Sequence, residues 1–123
     1  MKKIFEKELK LIFGKLKLED IFVCNNMLIG KLNEKNIVKI QFDDCHCVDC
    51  FGYIRIDIIN KEIGTINSDR VLLKDIFQTN ADSNYKPHIY KDNNGHYSWY
   101  VEPTDDDRRN LFEYVDKYLN YFK

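Results

Sequence analysis

A short cysteine-rich loop holds the densest group of reactive side chains in the sequence. Cys45, Cys47 and Cys50 lie close enough to present three thiolates to one ion, with Cys24 or a histidine as the fourth ligand. Four such ligands suit a tetrahedral structural zinc site. The same spacing also fits small buried apolar side chains, because alternate residues at a strand end share one face. Both interpretations are open at this point.

Three acids in the same region have no evident structural role. Asp43, Asp44 and Asp49 lie between two predicted strands, where no helix start calls for negative charge. We therefore predict that this loop contacts a basic partner. Catalysis by the loop is less favoured, because a cysteine nucleophile needs a base and an orienting group, and the sequence shows no recognised spacing of such residues.

Aromatic residues gather in a predicted hairpin in the last third of the chain. Tyr90 precedes the polar segment 92–95, and Tyr97, Trp99 and Tyr100 follow it. This segment ends in Asn-Gly, the dipeptide that tight hairpin turns prefer. Because tyrosine and tryptophan dominate the energetics of protein interfaces, we predict that these four side chains take part in binding a partner. The alternative is a core role for about half of the aromatic residues, because alternate residues of a strand face opposite sides and one side packs under the helix.

Three consecutive acids at 105–107 have a structural explanation. They follow Thr104, a typical N-cap residue, and carboxylates in the first helical turn complement the helix dipole. The apolar residues that follow recur at helical spacing: Leu111, Val115, Tyr118 and Phe122. We interpret the acids as the start of an amphipathic helix rather than as a metal site.

Several segments show the alternating pattern of antiparallel strands. Ile54, Ile56 and Ile58 share one face of a strand whose other face is polar. A hairpin is predicted around 25–26, where two asparagines suit a tight turn, and a further strand over 37–42.

Two other segments are harder to assign. Residues 1–13 fit both a helix face and a strand, and the alternation of Leu9, Leu11 and Phe13 favours a strand from about residue 8. After a predicted return strand at 63–66, Ser68 is expected to cap a short helix over 69–78.

Length and composition are those of one globular domain. The chain has 123 residues, of which 44% are hydrophobic and 14% aromatic. We expect a single α+β domain over residues 1–123, with a mostly antiparallel sheet of about five to seven strands. A C-terminal amphipathic helix and a short middle helix are expected to pack on that sheet.

The overall charge is close to neutral. The chain has 19 basic and 20 acidic residues, for a net charge of -1, although residues 1–40 are locally basic and residues 41–123 locally acidic. A nucleic-acid or anionic-membrane binder needs a clear excess of Lys and Arg, so neither partner is expected.

The N-terminus does not read as an export signal. Charged residues such as Glu6, Lys7 and Glu8 interrupt any apolar run near it. We therefore expect a cytoplasmic protein whose cysteines remain thiols.

The stretch FGYIRIDIINKEIGTI, the short helix predicted after it, the aromatic hairpin and the helix from Thr104 resemble small immunity proteins of bacterial polymorphic-toxin and contact-dependent inhibition systems. The resemblance covers the architecture of about the last two thirds of the chain. It implies a non-enzymatic bacterial protein that binds and neutralises a cognate toxin encoded next to it, and on this interpretation no cofactor is expected. The alternative is a small zinc-stabilised adaptor or regulatory module that uses the Cys45, Cys47 and Cys50 loop.

Overall fold

The computed structural model describes residues 2–43, 53–76, 87–91, 97–101 and 103–123. The helices and strands within these residues are, in chain order, α1 (Lys2–Phe13), β1 (Glu19–Cys24), β2 (Met27–Lys31), β3 (Asn36–Asp43), β4 (Tyr53–Asn60), β5 (Gly64–Leu72), α2 (Leu73–Ile76), β6 (Pro87–Lys91), β7 (Tyr97–Val101) and α3 (Asp105–Asn120).

The first five strands form one antiparallel sheet. Their spatial order is their chain order, β1-β2-β3-β4-β5, and β6 and β7 pair with each other as a separate two-stranded sheet. All pairings are antiparallel. The structure therefore confirms the predicted α+β class, with five strands in the main sheet.

One face of the main sheet, the inner face, forms the core with the helices. Ile54, Ile56 and Ile58 have no exposed surface, as their spacing predicted. The core extends from them to the neighbouring strands and to α1 and α3, through Leu28, Val38, Ile40, Phe42, Phe5, Leu9, Ile12, Phe13, Leu111, Val115 and Leu119. Burying this many aliphatic and aromatic side chains is the main stabilising contribution to the fold.

The opposite face of the main sheet, the outer face, carries polar and charged side chains together with exposed apolar ones. By strand register it carries Phe22, Met27, Ile29, Lys39, Gln41, Tyr53, Arg55, Asp57, Ser68 and Arg70. Most of these residues are half-buried or exposed, and Asp57, at 5% exposure, is the exception. The described helices contribute their buried side chains to the inner face, so this surface is the more accessible side of the sheet.

The prediction of a strand from residue 8 is wrong, because the segment belongs to α1. Leu9 and Phe13 are buried whereas Leu11, between them, is 56% exposed. A strand would place all three on one face, but a helix turns Leu11 away and brings Ile12 inward. The helical spacing prevails because this segment packs against α3 and the first strands of the sheet rather than pairing with them.

The short helix predicted over 69–78 is present in part, and its first four residues are wrong because they belong to β5. β5 continues through Leu72, α2 covers Leu73–Ile76, and residues 77 and 78 lie outside the described ranges. Ser68 does not cap a helix, since its hydroxyl donates to Asp57 on β4. Residues 68–72 pair with β4 instead, because a ready strand partner supplies the backbone hydrogen bonds that a short helix would otherwise provide.

Other predicted features are present. Asn25 has φ 57°, the left-handed conformation expected in the turn between β1 and β2. Thr104 caps α3: its hydroxyl accepts from the Asp107 amide at 3.1 Å, and the Asp107 carboxylate accepts from the Thr104 amide at 3.1 Å. This reciprocal pair is a capping box.

Candidate functional site

The predicted zinc ligands fall mostly outside the described residues. Cys24 is the last residue of β1, half-buried, and its thiol is free. Cys45, Cys47 and Cys50 lie outside the described ranges. Within those ranges no group of three His, Cys, Asp or Glu side chains could hold a metal ion. The zinc site therefore stays a prediction.

The predicted acidic contact residues lie at and after the end of β3. Asp43 closes that strand and is the register partner of Tyr53, the first residue of β4. Asp44 and Asp49 lie outside the described residues.

The four predicted aromatic contact residues belong to the β6–β7 pair. Tyr90 is in β6 opposite Ser98, while Tyr97, Trp99 and Tyr100 are in β7. The predicted hairpin pairing is therefore present, and the role of these residues in binding remains a prediction.

The acids at 105–107 serve the helix, as the sequence indicated. Asp107 is buried in the capping box. Asp105 and Asp106 form ion pairs with the arginines three residues later, Arg108 and Arg109, at 3.2 and 2.8 Å.

A pair of arginines on the outer face went unnoticed in the sequence. Arg55 on β4 is the register partner of Arg70 on β5, and both are exposed. With Ser68 and Asp69 they line an open groove. The Arg70 guanidinium carbon lies 4.5 Å from the centroid of the Tyr53 ring, within the range of a cation–π interaction. Because like charges directly opposite each other disfavour strand pairing, the sheet itself gains nothing from this pair.

Asp57, beside the arginines, is already engaged. Its Oδ1 accepts from the Ser68 hydroxyl at 2.5 Å and from the Arg55 Nε at 3.3 Å. Both hydrogen bonds go to one oxygen of a carboxylate that is almost completely buried, and they offset part of the cost of burying its charge. One guanidinium nitrogen of Arg55, Nε, is therefore already hydrogen-bonded to Asp57.

Asp69, the other acid at the groove, is held by α3. Its Oδ2 accepts from the Tyr114 hydroxyl at 2.8 Å, and its Oδ1 accepts from the Arg70 amide at 2.9 Å. Partial burial, then the hydrogen bond to Asp69 and its negative charge, raise the pKa of Tyr114 to about 12. Burial and the charges of Asp69 and Asp57 also raise the pKa of Tyr118. Both hydroxyls are therefore protonated donors at neutral pH.

The arginine pair could have been found only with the correct assignment of β5. The alternation over 53–58 does place Arg55 on the polar face of its strand. A helix at 69–78, however, gives Arg70 no strand neighbour. The missing signal was the continuation of the strand through Ser68.

No helix in the described ranges combines the length and apolar character needed to cross a membrane. Comparison with known proteins gave no match: no family model, curated protein or solved structure is significantly similar to the chain.

Proposed function

We propose that this chain is a non-enzymatic immunity-type protein that binds and neutralises a cognate bacterial toxin in the cytoplasm of the producing cell. The observation that carries the proposal is the outer face, a sheet surface with large side chains left accessible while helices pack the other side. A sheet holds such side chains at fixed positions, so binding requires little ordering of the backbone.

The residue types on the outer face support a protein partner. Phe22 is 60% exposed and is the register partner of Ile29 on β2. Met27 lies beside them, and Tyr53 and Arg55 lie farther across the sheet. Aromatic residues, methionine and arginine are enriched in protein interfaces, where they provide contact area that can be desolvated. We therefore assign the outer face as the main contact surface.

The contact residues predicted from the sequence extend this proposal. Asp43, the first of the predicted acidic contacts, is the register partner of Tyr53 and lies at one end of the outer face. The full set of predicted contacts is Asp43, Asp44, Asp49, Tyr90, Tyr97, Trp99 and Tyr100.

The test is co-purification of the tagged chain with the product of the neighbouring upstream gene. We expect a one-to-one complex that persists in added salt, and we expect co-expression to protect cells from that product. The proposal is wrong if the two proteins neither bind nor show protection.

A pair of variants locates the surface once a complex is obtained. Phe22→Ala removes an exposed ring from the outer face, and we expect it to weaken binding about tenfold. The matched control is Tyr121→Ala, which removes a ring that is 80% exposed, next to the C-terminal end of α3. Equal effects of the two variants on the dissociation constant would argue against the outer face as the contact surface.

A further inference from the structure

We infer that Arg55 and Arg70 form a carboxylate-binding site on the outer face, which receives an acidic segment of the partner protein. This inference rests on the proposed function and adds the chemistry of the partner. The acids at 43, 44 and 49 predict a basic partner surface, so the arginine pair defines a second contact of opposite charge.

The pair has unused hydrogen-bonding capacity. Asp57 engages only Nε of Arg55, at 3.3 Å. Arg70 is held over the Tyr53 ring, and among the described residues its guanidinium forms no ion pair. A guanidinium presents its donors in a planar fork that matches a carboxylate. Two such forks in cross-strand register can therefore bind neighbouring carboxylates.

The positive charge continues onto a third strand. Lys39 of β3 is the register partner of Asp57, which places it on the same face beside Arg55. The one carboxylate among these central residues is Asp57, and it is buried and hydrogen-bonded. Among Lys39, Arg55, Asp57 and Arg70, the exposed side chains are those of the two arginines, and their charge complements an acidic segment.

The charges of the chain favour a protein, rather than a nucleic acid, as the partner that supplies the anionic groups. The chain as a whole has a net charge of -1, and a nucleic acid would repel the many acids elsewhere on it. Arg55 is already paired with Asp57, and a bound carboxylate would reduce its mutual repulsion with Arg70 further, so their cross-strand register costs less in the complex.

The test uses a synthetic acidic peptide of alternating glutamate and serine as the probe. We would titrate it into the isotope-labelled full chain and follow the backbone amide signals by NMR. We expect the largest shifts at Arg55, Ser68 and Arg70, and weaker binding as salt is added. A peptide with glutamine in place of glutamate should cause no shifts there. Shifts confined to other parts of the chain overturn the inference.

Two double variants test the residues directly. Arg55→Gln with Arg70→Gln should weaken peptide binding about fivefold. The matched control, Lys35→Gln with Lys61→Gln, removes the same charge from two exposed turn residues and should change binding less than about twofold. If both double variants lose the same peptide affinity, the peptide is attracted by net charge alone, and the inference of a site at Arg55 and Arg70 is wrong.

Two further probes identify the source of the anion. The first is inorganic phosphate at an equal concentration of charge. If it causes the same shifts as the peptide, the arginine pair binds free anions rather than an acidic protein segment. A single-stranded oligonucleotide of equal charge that binds more tightly than the peptide would assign it to nucleic acid. Either result overturns the inference.

The peptide experiment is independent of the toxin. If the neighbouring gene product does not bind but the peptide does, the proposed function fails and the anion site stands. If that product binds the arginine double variant with unchanged affinity, the function stands and the arginines are not its contact.

Discussion

Tyr114 links α3 to the edge strand β5 through one hydrogen bond. Its hydroxyl donates to Asp69, and loss of the phenolic proton would place two negative charges 2.8 Å apart. Burial, this hydrogen bond and the charge of Asp69 account for a pKa of about 12 against the ordinary 10.0. The native structure therefore favours the protonated tyrosine.

This residue predicts how stability changes at high pH. A pKa raised by folding means that the native state holds its proton longer than the unfolded chain does. The contribution of Tyr114 is therefore complete below pH 10 and is lost as pH rises from 10 to about 12. Because the side chain is 41% exposed, we expect a modest effect, measured best by the tyrosinate absorbance of the folded protein.

Tyr114→Phe should remove one late-titrating tyrosine from that absorbance curve and flatten the fall in stability above pH 10. The control is Tyr121→Phe, which removes an exposed hydroxyl from the end of the chain and should leave the late transition in place. Tyr118, whose pKa is also raised, should still titrate late in Tyr114→Phe, so a late absorbance change of unreduced size in that variant would contradict the assignment to Tyr114.

Among the elements, α3 depends on the capping box at its start. The Thr104 hydroxyl accepts from the Asp107 amide, which lies in the first turn where no helical carbonyl is available. Thr104→Ala should lower the free energy of unfolding by about 1 kcal/mol. Urea denaturation measures this change.

Thr104→Ser is the matched variant, because serine keeps the acceptor oxygen. We expect it to unfold within about 0.5 kcal/mol of the natural chain. A serine variant as unstable as the alanine variant would show that the threonine methyl group, not the hydrogen bond, stabilises the helix start.

The elements also show where local patterns suffice. The start of α3 was predictable because the cap, the acids and the apolar stripe all belong to one contiguous segment. In α1 and β5 the same residues fit two kinds of structure. Exposure of Leu11 and pairing of Ser68 with β4 decide these cases, and both depend on distant parts of the chain.

For the whole molecule, an ion pair joins the two long helices. Arg108 on α3 donates to both carboxylate oxygens of Glu8 on α1, at 2.9 and 2.7 Å, across 100 positions of sequence. The Glu8 side chain is 4% exposed and that of Arg108 is 20% exposed. The contact therefore orients α1 against α3 at a largely dry site.

Glu8→Gln should lower the free energy of unfolding by about 2 kcal/mol, because it leaves a largely buried guanidinium without its bidentate partner. The control is Asp106→Asn, which breaks an exposed ion pair of similar length, 2.8 Å, with Arg109. That change should be below about 0.5 kcal/mol. Urea denaturation of both variants makes the comparison, and equal losses would contradict a special role for the buried pair.

Local sequence patterns were enough to predict the α+β class, the central strand with its three buried isoleucines, the first hairpin turn and the capped C-terminal helix. Each of these features depends on short-range periodicity or on the chemistry of a few adjacent residues. Tertiary structure alone decided that residues 2–13 form a helix, that β5 continues to Leu72, and that Arg55 faces Arg70. The physical reason is that an ambiguous segment takes the conformation whose apolar face and backbone hydrogen bonds find partners, and those partners lie far away in sequence.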